Sequence, residues 1–245
     1  MRQFGLIGKT LAHSFSKVYF EEKFVREGIT DADYDLFEIP DIALLPDFFR
    51  QHPDLVGFNV TIPYKQQIIP LLDELSEEAA EIGAVNTVLI KHIGNQIFTE
   101  GFNTDAEGFR QSLNGRKLPK KALVLGTGGA AAAVTYVLER QGCACTAVSR
   151  DAKRGLPYSA LTPETVAAHK LIVNCTPLGT FPNINEKPDI PYEGISGEHF
   201  LYDLVYNPAE TAFLKEGIQR GAEVRNGLAM LHAQAEAFWL LAVGC

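Results

Sequence analysis

Short apolar runs alternate along this chain with segments whose apolar residues recur every three or four positions, the pattern of strands and helices taken in turn. In the first part of the chain the runs at 4–7, 34–39 and 56–60 predict strands, with helices over 16–27 and 44–50 between them. Val18, Phe20, Phe24 and Val25 supply the apolar positions of the first helix. Pro63 opens a further helix toward Ile69. Ser76 caps another, with Glu77 and Glu78 in its first turn, where carboxylates meet the positive end of the helix dipole. Residues 84–91 and 96–99 read as strands joined at His92-Ile93-Gly94-Asn95, a hairpin laid on the sheet. The sum is a small α/β domain with a mixed sheet over residues 1–103.

A linking helix over 103–113 and a polar break at 114–119 lead into a different pattern. Leu123-Val124-Leu125 is continuously apolar, as in a strand buried on both faces. It runs straight into Gly126, Thr127, Gly128, Gly129 and Ala130, and then into a helix of small residues over 129–141. The spacing is an accepted form of the dinucleotide fingerprint, in which glycines allow a sharp turn and the helix start aims N–H groups at a pyrophosphate. Strands at 145–148, 171–174, 200–204 and 223–224, with helices at 163–168 and 209–220, complete a parallel doubly wound sheet over 104–226. A last helix runs from 227 or 228 to about 243, and residues 227–245 are expected to return to the first domain. Its apolar positions include Leu231, Ala235, Phe238 and Leu241; Gln234 shares that face and needs a partner, as a packed amide or as a ligand group.

The second nucleotide-side strand ends without the acid that would hold the ribose 2′-OH of NAD. Its tip reads Ser149-Arg150-Asp151-Ala152-Lys153-Arg154. A basic tip suits the 2′-phosphate of NADP, with Arg150 as the bidentate partner and Arg154 next. Asp151 fits a helix start.

A length of 245 residues allows two modest domains or one large one, and 46% hydrophobic content supports a real core. A net charge of −8 with no basic stripe argues against nucleic acid. No run approaches the roughly 18 apolar residues of a membrane span, and the first residues read as a strand and turn rather than a signal peptide. Of the four cysteines, Cys143 and Cys145 have poor disulfide or metal spacing and Cys175 ends a buried strand. A reducing, cytoplasmic setting with no metal site is expected, for a monomer or homodimer.

Polar residues recur where strands end: His13, Ser14 and Ser16 after the first, Asn59, Thr61 and Lys65 after the third, then Asn86 with Thr87, and Asn103-Thr104-Asp105. Ligands of open α/β sheets bind beyond the carboxyl ends of strands. Hydroxyls, amides, one lysine and one carboxylate converging there suit a small polyhydroxylated acid. The competing reading is helix capping by Ser14, Ser16, Thr61 and Asp105.

The ordered set of motifs resembles the shikimate dehydrogenase family over essentially the whole chain. His-Ser-x-Ser at 13–16, Asn-Val-Thr-x-Pro-x-Lys at 59–65, Gly-Ala-Val-Asn-Thr at 83–87, Asn-Thr-Asp-x-x-Gly at 103–108 and the glycine-rich turn carry the likeness. So do Asn-Cys-Thr-Pro-Leu-Gly at 174–179, the block at 202–208 and Gly227-Leu228-x-Met230-Leu231-x-x-x-Gln234. The resemblance implies a mixed-sheet substrate domain, a Rossmann-like NADP domain with a cleft between them, and NADPH-dependent reduction of 3-dehydroshikimate to shikimate. It implies a substrate carboxylate on Ser14 and Ser16, ring hydroxyls on Thr61, Asn86, Asp105 and Gln234, and Asn59 as a further substrate-binding residue. Lys65 and Asp105 would be the catalytic pair. The cofactor would lie on Gly126, Thr127, Gly128, Gly129 and Ala130, with Ser149, Arg150 and Arg154 at the 2′-phosphate end and Thr176, Val205, Gly227 and Met230 toward the nicotinamide.

Three positions depart from the family pattern. Lys17 stands where proline usually follows the second serine, Ser149 where asparagine usually precedes the arginine, and Thr180 where methionine is frequent. Lys17 could start the helix or add charge near a carboxylate. The alternatives are a quinate/shikimate dehydrogenase of broader specificity, or a nucleotide-binding regulatory relative without catalysis, which retention of Lys65 and Asp105 opposes.

Overall fold

Two six-stranded sheets carry the chain, one in each of two units. The structure is a computed structural model that describes residues 1–12, 14–94 and 96–244. His13 of the first polar motif, Asn95 of the expected hairpin turn and Cys245 of the cysteine set lie outside the described residues. One unit spans Met1–Thr104 and resumes at Ala235; the other is Asp105–Gln234.

In the first unit, β1 (Arg2–Gly8), β2 (Ala32–Glu38), β3 (Leu55–Val60), β4 (Glu74–Leu75), β5 (Thr87–Ile93) and β6 (Gln96–Phe102) are ordered β2-β1-β3-β5-β6-β4. β5 runs antiparallel to β3 and β6 while the other pairings are parallel, which makes the sheet mixed. The helices are α1 (Ser16–Glu27), α2 (Leu45–Gln51) and α3 (Glu77–Ile82), the last capped by the Ser76 side chain as expected. One core cluster gathers Ile7, Leu45, Leu55, Phe58 and Ile68. A second joins Phe4, Phe20 and Tyr34 to Phe238 and Trp239 from the end of the chain. Phe20 stacks on Tyr34 at 4.3 Å between centroids, and Phe4 meets Phe238 edge-on at 5.8 Å. Beside them the buried Lys23 ammonium lies 2.7 Å from Glu236, which also accepts the Tyr19 hydroxyl. Burial of that ammonium is tolerable because two carboxylates, Glu236 and Glu27, receive it.

The helix expected from Pro63 does not form. Residues 62–68 make consecutive turns, followed by a short 3-10 segment, Ile69–Leu71. The Lys65 carbonyl, which a helix would use internally, accepts instead from Val85 N–H at 2.7 Å. That bond, and the Ala84 carbonyl taken by Asn103 at 2.8 Å, also delay β5 to Thr87.

The second unit contains α4 (Thr104–Ser112), β7 (Lys121–Leu125), α5 (Gly129–Arg140), β8 (Ala144–Ser149), β9 (Leu156–Pro157), α6 (Pro163–Ala168), β10 (Leu171–Asn174), β11 (Phe200–Asp203), α7 (Ala212–Gln219), β12 (Glu223–Arg225) and α8 (Leu228–Val243). The division between units falls within α4 and within α8. All strand pairs are parallel, in the order β12-β11-β10-β7-β8-β9. Counted from β7, this is the doubly wound order 3-2-1-4-5-6, whose direction switches between β7 and β10, the place where open sheets of this order bind ligands. α7 starts three residues later than the pattern suggests because Thr211 caps it, accepting from Leu214 N–H. Residues 151–154 form a turn rather than a helix start, with the Asp151 carboxylate accepting from Lys153 N–H. No helix among the described residues is long and apolar enough to cross a membrane.

Candidate active site

A connected polar network occupies the first unit where β1, β3 and the segment before β5 end. Ser14 Oγ accepts from Ser16 N–H at 3.3 Å, a local turn, while Phe15 stands at the N-cap of α1 and no side chain caps that helix, so neither serine acts as its cap. The Ser16 hydroxyl bonds to that of Tyr34, a fully buried residue whose own hydroxyl donates to Asn59 Oδ1 at 2.8 Å. Burial pushes the Tyr34 hydroxyl pKa up, against the Ser16 bond, so the group stays neutral. Asn59 Nδ2 donates to the Asn86 carbonyl at 3.3 Å and to Thr87 Oγ1 at 3.1 Å, which spends both amide hydrogens. Thr104 completes the set: its N–H reaches Asn86 Oδ1 at 2.6 Å, and its hydroxyl meets Asn86 Nδ2 at 3.0 Å and Thr87 Oγ1 at 3.1 Å. Polar groups buried in this way carry little desolvation cost because they satisfy one another.

Thr61 and Lys65 are half-buried alongside. Thr61 N–H closes β3 onto the Ile7 carbonyl at 2.9 Å, and the Lys65–Val85 backbone bond sets the lysine beside the segment that carries Asn86. Lys17 has its charge committed elsewhere: its Nζ lies 2.6 Å from Asp35, and that hydrogen bond raises the ammonium pKa.

In the second unit the fingerprint segment forms a strand, a glycine turn and the start of a helix. Gly126 holds φ at +114°, a conformation that favours glycine, and its N–H bonds to Val148 O at 2.8 Å. Gly128 caps α5 with no side-chain acceptor, and nothing lies within 4 Å of the position its Cβ would take. An uncapped helix start with open space before it fits a pyrophosphate. Gly129 and Ala130 begin that helix. The Thr127 hydroxyl lies 3.3 Å from that of the buried Ser149, which accepts from Asp151 N–H at 3.1 Å. Arg154 folds onto the glycine turn, donating to the Thr127 carbonyl at 2.5 Å. Arg150 is exposed and makes no hydrogen bond or ion pair among the described residues.

Thr176 is held through both its N–H and its hydroxyl by Asn174 Oδ1, at 3.0 and 2.7 Å. The buried Val205 donates its N–H to Asp203 at 3.0 Å and accepts from Gly227 at 3.2 Å. Met230 is buried on α8. Asp105 is buried in the first turn of α4. One turn on, a Cβ at Gly108 would lie 2.7 Å from the Met230 carbonyl and 2.8 Å from Gln234 Cβ, so α4 and α8 meet there. Gln234 Nε2 also donates to its own helix, to Leu231 O at 3.0 Å. The expected substrate set is therefore divided: Ser14, Ser16, Asn59, Thr61, Lys65 and Asn86 belong to the first unit, Asp105 and Gln234 to the second.

Sequence reasoning assigned no role to Tyr34, Asn174, Asp203 or Thr211. Two left a signal: Asn174 and Asp203 are each a lone polar residue closing a buried apolar strand.

A family model described as the shikimate dehydrogenase substrate binding domain matches residues 6–88. The chain is 38% identical over 263 residues to shikimate dehydrogenase (NADP(+)) of Caldicellulosiruptor bescii, spanning 98% of this chain and 89% of that protein. Among solved structures, shikimate 5-dehydrogenase of Thermus thermophilus in complex with NADP(H) and shikimate superposes with a TM-score of 0.85 at 33% identity, over 100% of this chain and 94% of that one. Quinate dehydrogenase from Corynebacterium glutamicum in complex with NAD also gives 0.85, at 29% identity, over 100% and 94%.

Proposed function

The chain belongs to the shikimate dehydrogenase family, and we propose that it reduces 3-dehydroshikimate reversibly to shikimate with NADPH, a step toward chorismate and the aromatic amino acids. The observation that carries the reading is the polar network of the first unit. Neutral donors and acceptors fixed at strand ends suit a ring bearing several hydroxyls, and Lys65 adds one positive group beside them.

In this reading Ser14 and Ser16 hold the substrate carboxylate, while Thr61, Asn86, Asp105 and Gln234 address the ring hydroxyls. Asn59, with both amide hydrogens spent, keeps Asn86 in place rather than facing the ring. NADPH, when bound, supplies the hydride to the ring carbonyl carbon. The Lys65 ammonium delivers the proton to the carbonyl oxygen as negative charge develops there, and accepts it back in the oxidation. Asp105 orients the neighbouring hydroxyl. Gly126, Thr127, Gly128, Gly129 and Ala130 take the pyrophosphate, and the buried Val205 and Met230 keep water from the nicotinamide side.

NADP is preferred over NAD because Arg150 is exposed and unengaged at the tip of β8, with Arg154 beside the glycine turn, while the Asp151 carboxylate is turned to Lys153 N–H. The TM-score to the NAD-bound quinate dehydrogenase, equal to that of the shikimate complex though at lower identity, supports a second reading, a dehydrogenase that also oxidises quinate. The test is an absorbance assay of the purified protein with NADP and shikimate. Steady formation of reduced cofactor is expected; a protein that binds NADP yet forms none contradicts the proposal.

A further inference from the structure

Asp203 ends β11 with a relative exposure of 0%, and the activity proposed above makes no use of it. A carboxylate taken out of water needs a counter-charge or a set of donors. Asp203 has donors, and all three are neutral. Its Oδ1 accepts from Asn174 Nδ2 at 2.9 Å and from Val205 N–H at 3.0 Å, and its Oδ2 accepts from the Thr211 hydroxyl at 2.5 Å.

Two of these three bonds lead to residues of the expected cofactor site. Asn174 ends the neighbouring strand β10, directly in register with Asp203. Its Oδ1 takes both donors of Thr176, so the amide that Asp203 orients is the one that fixes Thr176. The Thr176 methyl and the Cys175 carbonyl in turn lie 3.4 Å from where a Cβ of Gly126 would be, so the loop after β10 is a wall of the glycine turn. The Val205 bond fixes the start of the loop after β11, whose Val205 carbonyl then receives Gly227 N–H. Only the Thr211 bond leads away, to the cap of α7. The carboxylate thus joins the loops that follow two adjacent strands at the carboxyl ends where an open α/β sheet binds its ligand.

We propose that Asp203 is a positioning residue of the cofactor site: through Asn174 it sets Thr176, and directly it sets Val205, so that both loops are in place before NADP(H) arrives. This rests on the reading that the glycine turn of the second unit takes NADP(H). Preorganised contacts of this kind raise affinity because their ordering is complete before binding. Neither Asp203 nor Asn174 touches the cofactor or the ring in this scheme; their effect passes through Thr176 and Val205.

The test is fluorescence titration of the full-length wild type, Asp203→Ala, Asn174→Ala and Thr211→Val with NADPH, together with the KM for 3-dehydroshikimate and the thermal midpoint of each. Asp203→Ala and Asn174→Ala are expected to weaken NADPH on the order of tenfold while the KM of the ring substrate stays within about twofold. Thr211→Val is expected to lower the thermal midpoint and leave NADPH affinity within about twofold, because it cuts only the arm that leads to α7. A folded Asp203→Ala with wild-type NADPH affinity overturns the assignment. So does a Thr211→Val that weakens NADPH as much as Asp203→Ala, since a general structural role would then suffice. Should Asp203→Ala not fold, Asn174→Ala carries the same test, because it keeps Asp203 with its other two donors. A wild type that does not bind NADPH contradicts the functional reading itself; a wild type that binds it beside unaffected variants contradicts only the role of Asp203.

Discussion

Each unit buries a hydrogen-bonded network where its strands end, but the two networks are made of different groups. In the first unit the members are hydroxyls and amides, Ser16, Tyr34, Asn59, Asn86, Thr87 and Thr104, and none of them carries charge. In the second, a carboxylate sits at the centre and three neutral donors surround it. Burial lifts the Asp203 pKa from the ordinary 3.8 to about 6, the three hydrogen bonds opposing the rise. A neutral network offers fixed donors and acceptors at any pH, as recognition of a hydroxylated ring requires. The charged one binds its loops more strongly once ionised, but at a desolvation cost that depends on pH. The division matches the proposed division of labour: most ring contacts and the proton transfer on the first unit, cofactor placement on the second, with Asp105 and Gln234 as its two contributions to the ring.

The largest expected effect separates those duties. Lys65→Ala should lower turnover by about two to four orders of magnitude while NADPH affinity stays near wild type. Unchanged turnover would remove Lys65 from proton transfer, and a matching loss of NADPH affinity would blur the division.

The second effect is a pH dependence confined to the charged network. Between pH 3.8 and about 6 the unfolded chain has released the Asp203 proton that the folded chain retains. Stability from this group is therefore fully present below that window and is lost as pH rises through it. The loss is on the order of 3 kcal/mol. Urea unfolding from pH 4 to 7 should show wild type losing about that much relative to Asp203→Asn; parallel profiles would mean that the carboxylate does not titrate there.

Next comes cofactor choice. Arg150→Ala should weaken NADPH roughly 10- to 100-fold and NADH hardly at all, since only the former offers a phosphate to the guanidinium. Equal losses, measured by titration with each cofactor, would make Arg150 structural. The smallest effect belongs to the neutral network. Tyr34→Phe leaves Asn59 Oδ1 short of a donor and should cost about 1–3 kcal/mol of stability, by the same amount at pH 5 and pH 8. Its substrate KM should rise by roughly three- to tenfold with kcat kept. A cost that varied with pH would contradict the uncharged description of the first unit.

Most of this fold was legible because local pattern and tertiary outcome agree. The helix over Ser16–Glu27 and the strand Leu171–Asn174 have the bounds their apolar positions predict. The segment after Pro63 was misread because a distant residue, Val85, takes the carbonyl that a helix would have used. β4 and β9 are two residues long, too short to show a period, and exist only by pairing at sheet edges. The candidate site divides in the same way. Strand ends and the glycine turn announce themselves along the sequence. The supports behind them, Tyr34 on Asn59 and Asp203 on Asn174, join residues 25 and 29 positions apart and come into view only when the strands lie side by side.

The central claim, that the first unit supplies most of the ring's contacts while the second places the cofactor, is tested most directly by measuring kcat/KM of the wild-type protein for the four pairings of shikimate or quinate with NADP or NAD. Shikimate with NADP should be the best pair, and replacing the ring or the cofactor should each lower kcat/KM by its own factor, the two factors multiplying when both are replaced. Quinate with NAD performing as well as shikimate with NADP would contradict the account.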